Sequence, residues 1–386
     1  MPIRHLSLII LLMFTALIVV GQLYLTIPLT EDIAAFFDTD PAVAAWAGTA
    51  FGLAYAIGFL VWGPMSDRIG RRIVLLCGLI GTGLVTVLLG LVDTFAFFLA
   101  ARVLQGFMAS SFPPVALSLV GEALPPERRP LGVSLISFAF LAAAPVAQFT
   151  GMGLPVSPSG FMLMTAPLYF VMAVGLAIVL HKGARGVVAS GVAAPVEGRF
   201  SGLMANPVVL SGWAAALTVL FGFVSFQVGT SMGASGGADP KVVSLVGLPP
   251  LALSLVAAPI SKRFGPSVTA RIGLATAAVG LIFAVFGGSV IFVAAVLVSG
   301  GVGLAVPGLI ATLSGAAMDS NRGLALSLYT FALFVGASLA SPVAIMLAPL
   351  GAALLYGVPA ALLLAAAGAI SMGMRLRSAA RSYEAT

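Results

Sequence analysis

The stretch Gly63-Pro-Met-Ser-Asp67-Arg68-Ile-Gly70-Arg71-Arg72 concentrates one acid, three arginines and two glycines in ten residues. Glycine at 63 and 70 permits a tight turn. Asp67 can cap a helix start or pair with a cation, and Arg68, Arg71 and Arg72 supply ion-pair partners. A second constellation, Arg102-Val-Leu-Gln105-Gly106, lies inside an apolar run. A charged side chain in hydrocarbon costs about 2.5–3.5 kcal/mol on insertion scales, so such an arginine is a functional candidate. It can tune a carboxylate's proton affinity or contact a solute. Proton coupling needs a carboxylate whose affinity changes with its surroundings. No Asp or Glu falls at the middle of an apolar run, and the best candidates are Glu31 and Asp32.

Around these lie side chains suited to a mildly polar, aromatic cavity: Gln22, Tyr24, Tyr55, Gln148, Gln227 and Tyr329, with Phe138, Phe149, Phe223 and Phe226. Little fixed charge accompanies them, which favours neutral or amphipathic solutes. Strongly anionic cargo would want more than one arginine, and dications would want central acids. His5, His181 and the single cysteine, Cys77, have no metal-ligand spacing. The chain has no G-x-x-x-x-G-K-[ST] phosphate loop, and no catalytic constellation is evident. No cofactor, metal or enzymatic activity is expected.

The elements that must carry these residues follow from composition. Hydrophobic residues make up 60 % of the 386 and charged residues 8 %, against about 25 % charged in a soluble domain. Such a chain cannot cover a water-facing surface, and lipid is its solvent. Runs long enough to span a bilayer fall at 6–28, 43–64, 73–92, 95–121, 131–154 and 162–181. A second set falls at 206–231, 241–261, 269–288, 290–316, 324–347 and 351–374. The expected fold is all-α, with twelve transmembrane helices in two pseudo-symmetric six-helix bundles, 1–181 and 206–386. The polar segment 182–205 reads as a cytoplasmic linker.

Charge placement tests that count. With a cytoplasmic N-terminus, all of the 18 lysines and arginines except Lys241 and Arg102 fall on the inner side. This is the bias that orients membrane proteins. Glu31, Asp32, Asp38, Asp40, Asp93 and Asp239 fall outside. An even count with both termini inside is expected, and the +6 net charge belongs to topology rather than to nucleic acid.

The halves also echo each other. Ala258-Pro-Ile-Ser-Lys-Arg-Phe-Gly265 repeats the Pro, Ser, Arg and Gly of Gly63 to Gly70 in register, and Arg129, Ser134 and Phe138 pair more weakly with Arg322, Ser327 and Phe331. Internal repeats place a transporter's substrate site near the midplane, between halves. Small-residue pairs such as Gly48/Gly52 and Gly229/Gly233 suit close helix approach, and Pro145 can bend the fifth helix.

The Gly63–Arg72 segment resembles the loop signature G-x-x-x-D-R-x-G-R-R of the major facilitator superfamily, and the twelve-helix plan extends the resemblance over the chain. Arg102-Val-Leu-Gln105-Gly106 resembles that family's R-x-x-Q-G element, common in proton-coupled members. The segment Gln22 to Ile33 is similar to its counterpart in the drug/proton antiporter-like branch. That branch's G-P-x-x-G-G element is degenerate here, with Pro145 kept and its glycines lost. The resemblance implies a conformational latch built from Gly63, Asp67, Arg68, Gly70, Arg71, Arg72 and Glu122, with Asp67 approaching Gly323. Arg102, Gln105, Glu31 and Asp32 would then serve proton coupling. The expected function is proton-coupled export of small neutral or amphipathic solutes by alternating access, from a monomer in a bacterial inner membrane. A neutral-metabolite carrier, such as one for sugars, is the alternative. From another class, a non-transporting sensor or scaffold would reuse the fold.

Overall fold

The computed structural model describes residues 3–125, 127–153, 156–181, 197–318 and 321–384. Among them there are helices and no strands. A bilayer offers backbone amides no water, so a spanning chain satisfies them within its own helices. Among the described residues, twelve helical segments are long and apolar enough to cross a membrane. The chain forms two compact units, Met1–Gly191 and Val192–Thr386, and six of the twelve segments lie in each.

The first unit contains α1 (Ile3–Leu25), α2 (Thr30–Phe36), α3 (Pro41–Ala44), α4 (Trp46–Ile69), α5 (Arg71–Leu89), α6 (Phe95–Ala109), α7 (Phe112–Ala123), α8 (Arg129–Gly153) and α9 (Pro158–His181). The fourth span is α6 and α7 together, interrupted at Ser110-Ser111 just before Pro113 and Pro114. Proline lacks the amide that would continue the ladder. By contrast, α8 runs through Pro145 as one helix.

The second unit contains α10 (Glu197–Met204), α11 (Pro207–Ser231), α12 (Pro240–Gly247), α13 (Leu253–Phe264), α14 (Pro266–Ala284), α15 (Val290–Ala316), α16 (Arg322–Leu347) and α17 (Ala352–Glu384). A 3-10 turn at Pro249–Ala252 joins α12 to α13 within one span. Of the predicted linker, 182–196 lies outside the described residues. Its remainder is largely α10, which buries Leu203 and leads into α11, capped by the Asn206 side chain.

Two boundaries near the candidate residues depart from the sequence reading. The first helix ends at Leu25 rather than at 28, and a turn leads into α2. Glu31 and Asp32 therefore occupy the first turn of a separate short helix. The second helix continues through most of the 63–72 signature, so Gly63 is helical and not part of a turn. Only Gly70 breaks the helix, at φ 97° and ψ 136°, a region open to glycine. Gly233, two residues past the end of α11, takes φ 81° rather than packing within a helix.

Candidate functional site

The signature turn is built from two helix ends. The Gly70 amide donates to Ser66 O at 3.1 Å, and α5 begins at Arg71. The same turn recurs in the second unit, where Gly265 takes φ 92° and ψ 146° and its amide donates to Ser261 O at 2.9 Å. The repeated sequence is thus a repeated conformation.

Arg71 organises the first of these turns. Its Nη2 lies 2.9 Å from Asp67 Oδ1, its Nε 2.5 Å from Glu122 Oε1, and its Nη1 donates to Ser66 Oγ at 3.1 Å. Asp67 sits in the last turn of α4, where a carboxylate opposes the helix dipole. It does not cap α5, whose N-cap Gly70 receives no side-chain bond. The Arg71 ion pair offsets that placement. Arg72 reaches across to Ala177 O at 3.5 Å. Four spans therefore meet around this turn: α4 through Asp67, α5 through Arg71 and Arg72, the end of α7 through Glu122, and α9 through Ala177.

Arg102 forms the second centre. It is fully buried. Nε donates to Ala47 O at 3.1 Å, Nη2 to Gln22 O at 2.8 Å, and Nη1 to Gln105 Oε1 at 2.5 Å and Gln22 Oε1 at 3.5 Å. The Phe51 ring lies beneath the guanidinium, 4.4 Å from centroid to Cζ, a favourable cation–π placement. Gln105 passes the chain on, donating Nε2 to Thr86 Oγ1 at 2.7 Å, and Thr86 donates to Thr82 O at 2.6 Å. Each acceptor is neutral. Among the described residues no carboxylate forms an ion pair with Arg102, and Glu31 and Asp32 are solvent-exposed on α2.

Of the cavity candidates, Gln22, Tyr24, Tyr55, Gln148, Phe223, Phe226, Gln227 and Tyr329 are buried within their own units. Phe138 is half-buried and Phe149 exposed. Tyr55 stacks on Phe51 at 5.5 Å and meets Phe59 edge-on at 5.0 Å. Tyr329 donates to Val306 O at 3.3 Å. Sequence reasoning missed Ala47, Phe51 and Thr86. A main-chain acceptor such as Ala47 O leaves no mark in sequence. Thr86 did leave one: Thr82 and Thr86 are polar residues four apart in an apolar run.

A family model described as Major Facilitator Superfamily matches residues 12–235. The chain is 32 % identical over 128 residues to the uncharacterized MFS-type transporter YwfA of Bacillus subtilis, covering 32 % of this chain and 31 % of the relative. It is 30 % identical over 135 residues to the multidrug resistance protein MdtG of Escherichia coli O6:K15:H31, covering 34 % and 32 %. It is 31 % identical over 127 residues to the bicyclomycin resistance protein homolog of Haemophilus influenzae, covering 32 % and 31 %. The matched region spans about a third of the length of each of these relatives. The family match covers more than half of the chain, from within the first span to just past the seventh, and both arginine centres fall inside it: this multi-pass membrane protein belongs to the Major Facilitator Superfamily.

Proposed function

We propose that the chain exports small neutral or amphipathic solutes by alternating access, with proton movement as the driving reaction. The observation that carries this reading is the Arg102 centre, in a chain similar over about a third of its length to proteins named for multidrug and bicyclomycin resistance. A sealed cation tied to α1, α4 and α6 costs energy to keep in an apolar interior. Conformational change would alter its ligands, and with them the electrostatics at the mouth of α1. Glu31 and Asp32 are the acids assigned to proton entry, and the buried tyrosines and glutamines to the solute cavity. The Asp67–Arg71–Glu122 cluster is assigned to a latch holding one state. Both termini are placed in the cytoplasm, the chain in a bacterial inner membrane, and the working unit is a monomer.

A second reading has its own support. All ligands of Arg102 are neutral, and every Asp and Glu lies outside the middle of the spans. This favours a carrier for a neutral metabolite that runs down its own gradient. Reconstitution in liposomes with an internal pH dye separates the two. Export coupled to protons gives solute-dependent pH change opposite to solute flux. Solute flux indifferent to a pH gradient overturns proton coupling and leaves carriage intact. A folded protein that moves no solute from a broad pool overturns both.

A further inference from the structure

The two signature turns share a conformation but not a charge balance. In the first unit Arg71 is neutralised by Asp67 and Glu122. At the register of Asp67 the second unit has Lys262, followed by Arg263, both exposed. Arg271 lies just over one helical turn into α14. It is half-buried, donating Nε to Ser267 O at 3.3 Å and Nη1 to Ser371 Oγ of α17 at 2.9 Å. Arg375 follows Ser371 by four residues, so it occupies the same face of α17 one turn on, and it is exposed. Among the described residues no acid forms an ion pair with any of these four cations. Asp239 is the N-cap of α12, at the opposite end of the span that α13 completes.

Topology requires cations near this end of the unit. It does not require a guanidinium wedged between two spanning helices without a counter-charge. The surroundings are amphipathic as well. Phe264, Ile272, Met372 and Leu376 are exposed large apolar residues flanking the cations, and Arg263 Cζ lies 5.2 Å from the Phe264 ring centroid. At 33 residues, α17 is about 50 Å long, against a hydrocarbon core of about 30 Å. Arg375, about 35 Å along it, falls just beyond that thickness, at the depth of the headgroups. Basic pockets between spanning helices hold anionic lipid headgroups.

We propose that the α13–α14 turn and the adjoining face of α17 bind the headgroup of one anionic phospholipid. Arg271 and Arg375 take the phosphate, Lys262 and Arg263 border it, and the acyl chains lie along Phe264, Ile272 and Met372. The leaflet follows from the orientation proposed above; the site itself does not depend on what the protein transports.

The test uses the purified full chain in nanodiscs of phosphatidylcholine with or without phosphatidylglycerol, with bound lipid counted by native mass spectrometry. The expected result is retained phosphatidylglycerol and a melting temperature that rises with its fraction. Arg375→Gln, at an exposed position, is expected to lower retention about five-fold, and Arg271→Gln with Arg375→Gln further. Arg128→Gln, in the other unit, leaves retention unchanged. Wild-type protein that retains phosphatidylglycerol no better than phosphatidylcholine overturns the proposal. So does folded Arg375→Gln with unaltered retention, or an equal loss in Arg128→Gln. Inorganic phosphate raising the melting temperature as much as the lipid would show an anion site without lipid selectivity, and would overturn it too.

Discussion

In the N-terminal unit Gly78 receives Ser111 and Gly106 receives the α4 backbone at Phe51; a Cβ at either would lie within 2.1 Å of those atoms. At the same register the C-terminal unit has Gly273 and Gly301, and these serve a different contact. A Cβ at Gly273 would lie 2.4 Å from Ala305 N, and one at Gly301 would lie 2.4 Å from Ala277 N. Gly280 and Gly308 repeat the arrangement seven residues on, with backbone nitrogens at 2.7 Å. Helices α14 and α15 therefore meet backbone to backbone along two heptads, the close approach that small residues allow in membranes. The polar register is exchanged as well. Arg102, Gln105 and Thr86 correspond to Leu297, Gly300 and Leu281. One unit is tied by a buried cation that grips neighbouring main chains, the other by steric fit. A polar tie can change partners when helices move. A glycine seam can only hold or part.

The largest effect is expected from Gly301→Leu, which drives a side chain into the α14 backbone. Overpacking of this kind costs about 3 kcal/mol or more. Melting in detergent should show severe loss, while Gly315→Leu on the same helix, where a Cβ meets nothing within 4 Å, should melt close to wild type. Similar melting of the two would remove the seam from the comparison.

Next comes Arg102→Leu. Gln105 Oε1 and the carbonyls of Gln22 and Ala47 lose a charged donor, and each orphaned acceptor costs about 1–3 kcal/mol. Transport should be lost and the melting temperature lowered. Arg102→Lys, which cannot reach several acceptors at once, should recover only part of either. Full activity in Arg102→Leu would reduce the residue to packing.

Glu122→Gln should be milder. Its pair with Arg71 is partly exposed, at 24 % and 31 % of the side chains, and such pairs contribute about 0.5–1 kcal/mol. A modest melting shift with clearly slower transport would support the latch. Asp67→Asn should shift stability least, its side chain being 60 % exposed, by about 0.5 kcal/mol or less. Normal insertion with slowed transport is the expected outcome. Normal transport at normal expression would remove Asp67 from the latch.

Much of this architecture is legible in sequence because lipid enforces it. An apolar run of twenty residues has few alternatives to a spanning helix, so all twelve were readable. The Gly70 turn was also readable, since positive φ selects glycine. The end of α4 was not. The signature looks like a loop because it is polar, yet its residues 63–69 keep helical geometry and simply emerge from the apolar zone. The apolar pattern runs on to Pro28, just short of Glu31 and Asp32, whereas the helix stops at Leu25 and α2 starts afresh with the two acids in its first turn. The ligands of Arg102 were half legible. Gln105 was visible by its spacing and Gln22 by its polarity, but Ala47 contributes an oxygen that every residue has.

That last detail has an evolutionary corollary. Because two of the four acceptors of Arg102 are main-chain oxygens, the chain concentrates its dependence on positions 102 and 105 while leaving positions 47 and 22 freer to drift. Ala47 can become another small residue without changing what it offers the guanidinium, and so can position 22, apart from one long contact of 3.5 Å. A saturation library read out by expression and transport should therefore show near-complete intolerance at 102 beside tolerance of small substitutions at 47. Covariation between these positions should be weak although they touch.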